Sequence, residues 1–290
     1  MSHRPRRSVL YMPASNQRAM DKARTLAADT LVFDLEDAVG PEKKQLAREQ
    51  SIAALQAAGY GKRELVVRIN GQGTSWWADD IDALAQSGLD AICLPKVESV
   101  DEVDALVSRL EKAGAPDSIV IWVMIETPLG VLKSVSIANH PRVGVIVMGT
   151  TDLAKELRVP HVLDRIGLLT SLGQCVLAAR ACEVEILDGV YLDLDDADGF
   201  AFSCKQGRHL GFDGKTLIHP RQIAMANQCF GPSVEELLHA EKIIAAWSHA
   251  QAQGKGVVLV DGKLVEGMHI DEAKRNLSIA QHIKAMETKD

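Results

Sequence analysis

No apolar run in this chain reaches membrane-spanning length. The opening MSHRPRR leads straight into SVLYMP, without the apolar core and cleavage region of a secretory signal, so a cytoplasmic location with no membrane partner is expected. The five cysteines, Cys93, Cys175, Cys182, Cys204 and Cys229, contain no C-x-x-C pair and are odd in number, which favours buried free thiols over disulfides or zinc. No G-x-G-x-x-G follows the first strand-like run, which leaves a dinucleotide-binding doubly wound sheet without support. Positive charge is in the minority, 32 Lys and Arg against 39 Asp and Glu for a formal net charge of −7, and the only basic run, Arg4, Arg6 and Arg7, reads as a solvated terminus. A general nucleic-acid partner is therefore not expected, although a local basic pocket for a phosphorylated ligand remains open.

What is present is an ordinary soluble composition, 47% hydrophobic and 24% charged over 290 residues, enough for one large domain or two smaller ones. Short β-rich runs alternate with longer amphipathic segments. Strands are expected at 8–13, 30–36, 65–70, 91–96, 119–126, 143–149, 189–193 and 215–220. A helix is expected between most of them, for example from Pro41, a favoured first-turn residue, to Gly59. Eight strand-helix repeats in about 220 residues are the signature of an α/β (β/α)8 TIM barrel. The pattern changes afterwards. A helix from Ser233 to Gln253 opens with a Ser233/Glu236 capping box, a hairpin turns at Asp261-Gly262, and a last helix runs over 271–286. The expected organisation is a barrel over 1–230 and a C-terminal helical and hairpin lid or subunit contact over 231–290.

The stretch from Ile119 to Leu157 carries the chemistry. Two continuous apolar runs, IVIWVMI and VGVIVMG, end in Glu126 and just before Asp152, with a helical segment between them over Leu129 to Asn139. Adjacent parallel strands would bring both carboxylates to one edge, where two hard oxygen ligands suit Mg2+ with its retained waters. The competing reading is that both acids only cap helices, as Thr150 and Asp152 would before Leu153.

Other strand ends carry Ser15 and Asn16; Asp34, Glu36 and Asp37; Arg68 and Asn70; Lys96 and Glu98; Asp193 and Asp195; and His219. In a barrel these surround one mouth. Arg68 on VVRIN would stabilise an oxyanion, or else form a structural ion pair with Asp34, Glu36 or Asp37. Of the DLED acids, Asp34 and Glu36 share one strand face with Asp37 on the other, and at least one should position Arg68. Arg18 and Lys22, four apart, would grip phosphates or simply form a solvated helix face. His219 is an acid-base candidate whose plainer reading is a satisfied structural histidine.

RSVLYMPASN, LVFDLEDAVGPEKKQLAR, VVRIN, CLPKVES, IETPLG, GTTDLAKEL and GFDGKTLIHPRQI follow in the order and spacing of the citrate lyase β-subunit-like and malyl-CoA lyase family, which this chain resembles from about Arg7 to Ile283. The resemblance implies a (β/α)8 barrel, trimeric or hexameric, that makes or cleaves a carbon–carbon bond in a 3-hydroxyacyl thioester with Mg2+. It implies metal binding by Glu126 and Asp152, enolate stabilisation by Arg68, support of both by Glu36 and Asp37, and coenzyme A contacts from Ser15, Asn16, Arg18 and Lys22. In similar enzymes a lid aspartate reaches a neighbouring subunit's active site as the base; the matching residue here is Glu266. A second departure is Thr151, where many relatives carry an acid, and Met268 and His269 share the lid. The resemblance implies a malyl-CoA or citramalyl-CoA lyase acting on acyl-CoA and small oxo acids. The alternatives are the citryl subunit of a citrate lyase complex, a malyl-CoA thioesterase and a non-catalytic barrel serving as an assembly partner.

Overall fold

The computed structural model describes residues 4–252 and 256–287. One compact unit spans Arg6–Cys229, and the described residues from Phe230 on belong to a second.

The first unit is a closed eight-stranded parallel barrel. Its strands are β1 (Ser8–Pro13), β2 (Thr30–Asp34), β3 (Glu64–Arg68), β4 (Ala91–Leu94), β5 (Val120–Ile125), β6 (Val143–Met148), β7 (Glu185–Asp188) and β8 (Gly214–Leu217). Each pairs with the next, and β8 closes on β1 through Val9 with Thr216 and Leu10 with Leu217. Because side chains alternate across a strand, every second residue enters the lumen. Val9, Val32, Val66, Ala91, Cys93, Trp122, Met124, Val145, Val147 and Leu187 fill it, with Tyr11 and Val120 packed against them. The barrel interior is thus a packed core that leaves chemistry to the strand ends.

Most strands stop one to three residues before the sequence pattern suggests. The polar residues that close each apolar run have already turned out of the sheet, and β1 alone keeps the expected limits. The seventh strand is the largest correction. It is Glu185–Asp188, not 189–193, because the Asp188 carboxylate takes the Gly189 N–H at 2.8 Å and ends the ladder there. The segment Leu129 to Asn139 is two short helices, Pro128–Leu132 and Ser134–Ala138, which still carry the chain from β5 to a parallel β6.

Arg6 and Arg7 are not solvated, which corrects the reading of the basic run. Arg6 donates to Glu64 at 2.6 and 2.7 Å and to Glu185 at 2.6 Å, and Arg7 pairs with Asp29 at 2.8 Å. Arg6 also lies 5.4 Å from the centre of the Trp122 ring, so it plugs the end of the barrel opposite the mouth.

The second unit contains the helix Val234–Ala252, the antiparallel pair β9 (Val258–Val260) and β10 (Lys263–Val265), and the helix Gly267–Glu287. Gln253, the expected end of the first of these helices, lies outside the described residues. Ser233 and Glu236 form the reciprocal cap, at 2.6 and 3.1 Å. Asp261 and Gly262 both have positive φ, as a type I′ hairpin turn requires. Ala240, Ile243, Val260, Val265, Ile270 and Ala273 form this unit's own core.

Candidate active site

Glu126 follows β5 directly and is only 2% exposed. It caps no helix: Thr127 does that, accepting the Gly130 N–H at 3.1 Å. Glu126 Oε1 instead accepts the backbone N–H of Lys96 at 2.9 Å. Gly149, at the end of β6, packs so closely that a Cβ there would collide with Glu126 Cβ and Oε2. The helix Thr150–Leu157 begins after Gly149, which supplies no side-chain cap. Asp152 lies in its first turn, half-buried, and makes no hydrogen bond or ion pair among the described residues. Both acids are therefore available to a ligand. The capping reading fails for Glu126 and has no hydrogen bond to support it for Asp152.

Arg68 ends β3 beside them. Its Nε and Nη2 donate to the two oxygens of Asp34 at 2.7 and 2.6 Å, a fork that fixes the guanidinium plane. Tyr11 stacks on that plane from the lumen, 5.2 Å from ring centre to Cζ. Nη1, which also donates to Met124 Sδ at 3.9 Å, turns to the mouth 2.8 Å from Glu36 Oε2 and 3.8 Å from Asp37. The Asp34 carboxylate also accepts the N–H groups of Glu36 and Ala38, which folds the chain back at the end of β2. Strand alternation therefore stops at Asp34, and Asp34, Glu36 and Asp37 converge on one guanidinium instead of dividing between two faces. The acid that positions Arg68 is Asp34.

Negative charge is in excess here. Asp34, Glu36, Asp37, Glu126 and Asp152 outnumber three cations, Arg68, Lys96, whose Nζ is 3.3 Å from Glu36 Oε1, and Lys44, whose charge acts on Asp34, Glu36 and Asp37. Burial pushes the Glu126 carboxyl up to about 8, and the negative Glu36 and Asp152 add to the effect while Arg68 and the Lys96 N–H oppose it. Burial is also the main cause that raises Glu36. The buried Glu36 Oε2 has no hydrogen bond despite its closeness to Arg68 Nη1, so that contact is an ion pair of poor hydrogen-bond geometry. A divalent cation would relieve this imbalance, so the residues fit Mg2+. Among the described residues no group of three or more His, Cys, Asp or Glu side chains is placed to hold a metal. Two carboxylates completed by water and substrate are the arrangement Mg2+ favours over an all-protein cage.

The remaining candidates divide. Asn16 caps the helix Gln17–Ala23 by accepting the Ala19 N–H at 3.1 Å, and Ser15 beside it is half-buried. Arg18 and Lys22 are exposed one turn apart and make no ion pair among the described residues. Asn70 is tied to Asp80 by its N–H at 3.0 Å and its Nδ2 at 2.6 Å, a structural role. His219 caps the turn Pro220–Gln222, its Nδ1 accepting the Arg221 N–H at 3.1 Å, which is the structural reading. Asp193 accepts the N–H groups of Asp195 and Asp196. Glu266 belongs to the second unit, exposed between β10 and the helix Gly267–Glu287, and its N–H donates to His269 Nδ1 at 3.1 Å.

Two features escaped the sequence reading. Lys44 is buried at a helix start and donates to the carbonyls of Leu35 and Glu36 at 2.7 and 2.8 Å, 5.2 Å from the Trp76 ring centre. Asp188 is held by Lys215 at 2.9 Å and Arg165 at 2.7 Å, and although burial opposes it these cations keep its carboxyl below the usual range. Asp188 is a closed ion cluster, whereas Glu126 is not. A cavity of about 420 Å3 lies beside Glu36, Asp37 and Lys96, with Lys44 and Trp76 on its wall.

A family model described as HpcH/HpaI aldolase/citrate lyase matches residues 7–220. A (3S)-malyl-CoA thioesterase of Cereibacter sphaeroides is 48% identical over 287 residues, 98% of this chain and 99% of that protein. The citrate lyase subunit beta of Leuconostoc mesenteroides subsp. cremoris is 36% identical over 96% of this chain and 94% of that protein. Among solved structures, CitE from Mycobacterium tuberculosis in complex with magnesium, acetoacetate and coenzyme A superposes with a TM-score of 0.76. It is 27% identical, over 97% of this chain and all of that one.

Proposed function

We propose that this protein, an enzyme that belongs to the HpcH/HpaI aldolase/citrate lyase family, cleaves the carbon–carbon bond of a malyl-CoA-type 3-hydroxyacyl thioester with the help of Mg2+. The observation that carries this reading is the placing of Arg68 Nη1 in the same mouth as Glu126, with Glu36 between them. Breaking the bond between C2 and C3 sends its electron pair to the thioester carbonyl as an enolate. The hydroxyl on C3 loses its proton and becomes a carbonyl, so the reaction needs a cation at each end and a base.

Glu126 and Asp152 would hold Mg2+, which would supply Lewis acidity to the oxygens of the acid half. Arg68 would face the developing enolate oxygen. Asp34 fixes its fork and Tyr11 its plane, so little reorganisation accompanies the charge. Glu36 and Asp37 hold Nη1 in place until substrate arrives. Glu266 would take the hydroxyl proton in a neighbouring subunit's active site, from a lid and subunit contact over 231–290 appended to a catalytic barrel over 1–230. Ser15, Asn16, Arg18 and Lys22 would contact coenzyme A, with the cavity beside Glu36 leaving room for part of its arm. The proposed assembly is a cytoplasmic homotrimer or hexamer. Among the described residues no helix is long and apolar enough to cross a membrane.

A second reading, hydrolysis of the same thioester to free coenzyme A, is favoured by the likeness to the malyl-CoA thioesterase. One experiment separates them. (S)-Malyl-CoA, β-methylmalyl-CoA and (S)-citramalyl-CoA are each offered with Mg2+ or EDTA while keto acid and free thiol are followed. Metal-dependent keto acid without thiol is the expected result. Thiol with the intact hydroxy acid would replace cleavage by hydrolysis. Neither product would overturn both and favour a carrier-protein thioester, as for a citrate lyase β subunit.

A further inference from the structure

Lys96 has a φ of 53°, in the left-handed region that an L side chain rarely adopts. Ala58, Arg158 and Glu183 share positive φ for an ordinary reason, since each lies at the C-terminal end of a helix; Asp261 turns a hairpin, and Arg165 lies in the long loop between the helices Thr150–Leu157 and Leu169–Ala181. Lys96 does none of these. It lies between the end of β4 at Leu94 and Val97, whose N–H returns to the Met124 carbonyl at 3.2 Å and so resumes contact with β5. The strained residue is a single outward step in a chain that otherwise follows its neighbouring strand.

That step has two products. The Lys96 N–H donates to Glu126 Oε1 at 2.9 Å, just beyond the end of β5. The side chain, half exposed at the mouth, brings Nζ to 3.3 Å from Glu36 Oε1, while the other Glu36 oxygen lies 2.8 Å from Arg68 Nη1. Lys96 thus touches both halves of the site, the buried carboxylate through its backbone and the arginine's partner through its ammonium.

We infer that Lys96 is a positioning residue. Its left-handed backbone orients Glu126 for a metal, and its ammonium separately holds Glu36 against Arg68. The inference rests on the reading of Glu126 as a metal ligand. It implies that the backbone and the side chain of one residue can be separated by substitution. Lys96→Gly and Lys96→Asn both tolerate positive φ and keep the N–H while removing the ammonium; Lys96→Val disfavours the conformation.

The test is calorimetric titration of the full chain with Mg2+ alone, followed by steady-state turnover with the thioester found active. Lys96→Val is expected to lose metal affinity by about 10- to 100-fold, the range for groups that orient a ligand. Lys96→Gly and Lys96→Asn are expected to bind Mg2+ as the unsubstituted protein does, with kcat lower by about tenfold and KM unmoved. Equal Mg2+ affinity in Lys96→Val and the unsubstituted protein would overturn the inference. So would a loss in Lys96→Gly as large as that in Lys96→Val, because only the backbone differs in what it can adopt. If Lys96→Val does not fold, the Gly and Asn variants still decide, since their loss of Mg2+ binding contradicts the division. Absence of Mg2+ binding to the unsubstituted protein would overturn the metal reading itself and the role of Lys96 with it.

Discussion

The two ends of the barrel are built from the same parts to different effect. At each end an arginine stacks on an aromatic ring that fills the lumen, Arg6 on Trp122 and Arg68 on Tyr11, and each is held by two or more carboxylates. Burial raises Glu185 at the closed end as it raises Glu126 at the mouth. The largest charged neighbour of Glu185 is the cation Arg6, whereas that of Glu126 is the anion Glu36. The closed end leaves each of its carboxylates hydrogen-bonded to a cation, Arg6 holding Glu64 and Glu185 and Arg7 holding Asp29, and its value is structural. The mouth keeps a surplus of carboxyl groups, of which Glu126 accepts only a backbone N–H and Asp152 has no partner among the described residues, the pattern of a site made to bind a cation or substrate. A buried ion network is not in itself a sign of function; its deficit is.

The comparison breaks most sharply by substitution at each end. Glu126→Gln should abolish Mg2+-dependent turnover, a loss of about a thousandfold or more in kcat, with little change in melting temperature. Arg68→Lys should lower kcat by about 10²–10³ while Mg2+ still binds, because a lysine cannot keep the Asp34 fork and also present a nitrogen to the mouth. Arg6→Met should do the opposite. It leaves Glu64 and Glu185 without their cation and should cost about 3–5 kcal/mol in denaturant unfolding, with kcat unchanged in the protein that remains folded.

A smaller effect lies in the pH dependence of stability. Without metal, the folded chain keeps the Glu126 proton up to about 8, whereas the unfolded chain releases it in the ordinary carboxyl range. In that window the folded state binds more protons, so this group's contribution to stability falls as pH rises. Melting temperature without Mg2+ should therefore decline from the ordinary carboxyl range toward pH 8, and Mg2+ or Glu126→Gln should flatten the decline. A metal-free slope identical in Glu126→Gln would contradict the assignment. The smallest change is expected from Lys22→Ala, a few-fold rise in KM for the coenzyme A thioester that shrinks at high salt, since the lysine is exposed.

The barrel was legible because its eight apolar runs are too short for helices and are separated by amphipathic segments of helical length. The positions of Glu126 at the end of a buried strand and of Asp152 in the first turn of the helix after the next strand were legible for the same reason. Strand ends were overrun because the polar residues after Asp34, Leu94 and Leu217 continue the β-like composition while the backbone has already bent into loops. Arg6 and Arg7 were misread because their partners Glu64, Glu185 and Asp29 are brought to them only by closure of the barrel. Asp34 could be narrowed only to one of three acids, because a chain reversal stabilised by its own carboxylate cancels strand alternation. Lys96 was legible as a strand-end residue of the mouth, but its left-handed backbone and its contact with Glu126 were not.

The most direct test of the unbalanced mouth is Mg2+ titration of the substrate-free protein near pH 7 with proton release measured in parallel. Saturable binding that releases protons, and that disappears in Glu126→Gln but survives in Arg6→Met, is the predicted result. Binding that persists in Glu126→Gln, or no binding at all, would contradict the claim that the surplus of carboxylates at this end is a metal site.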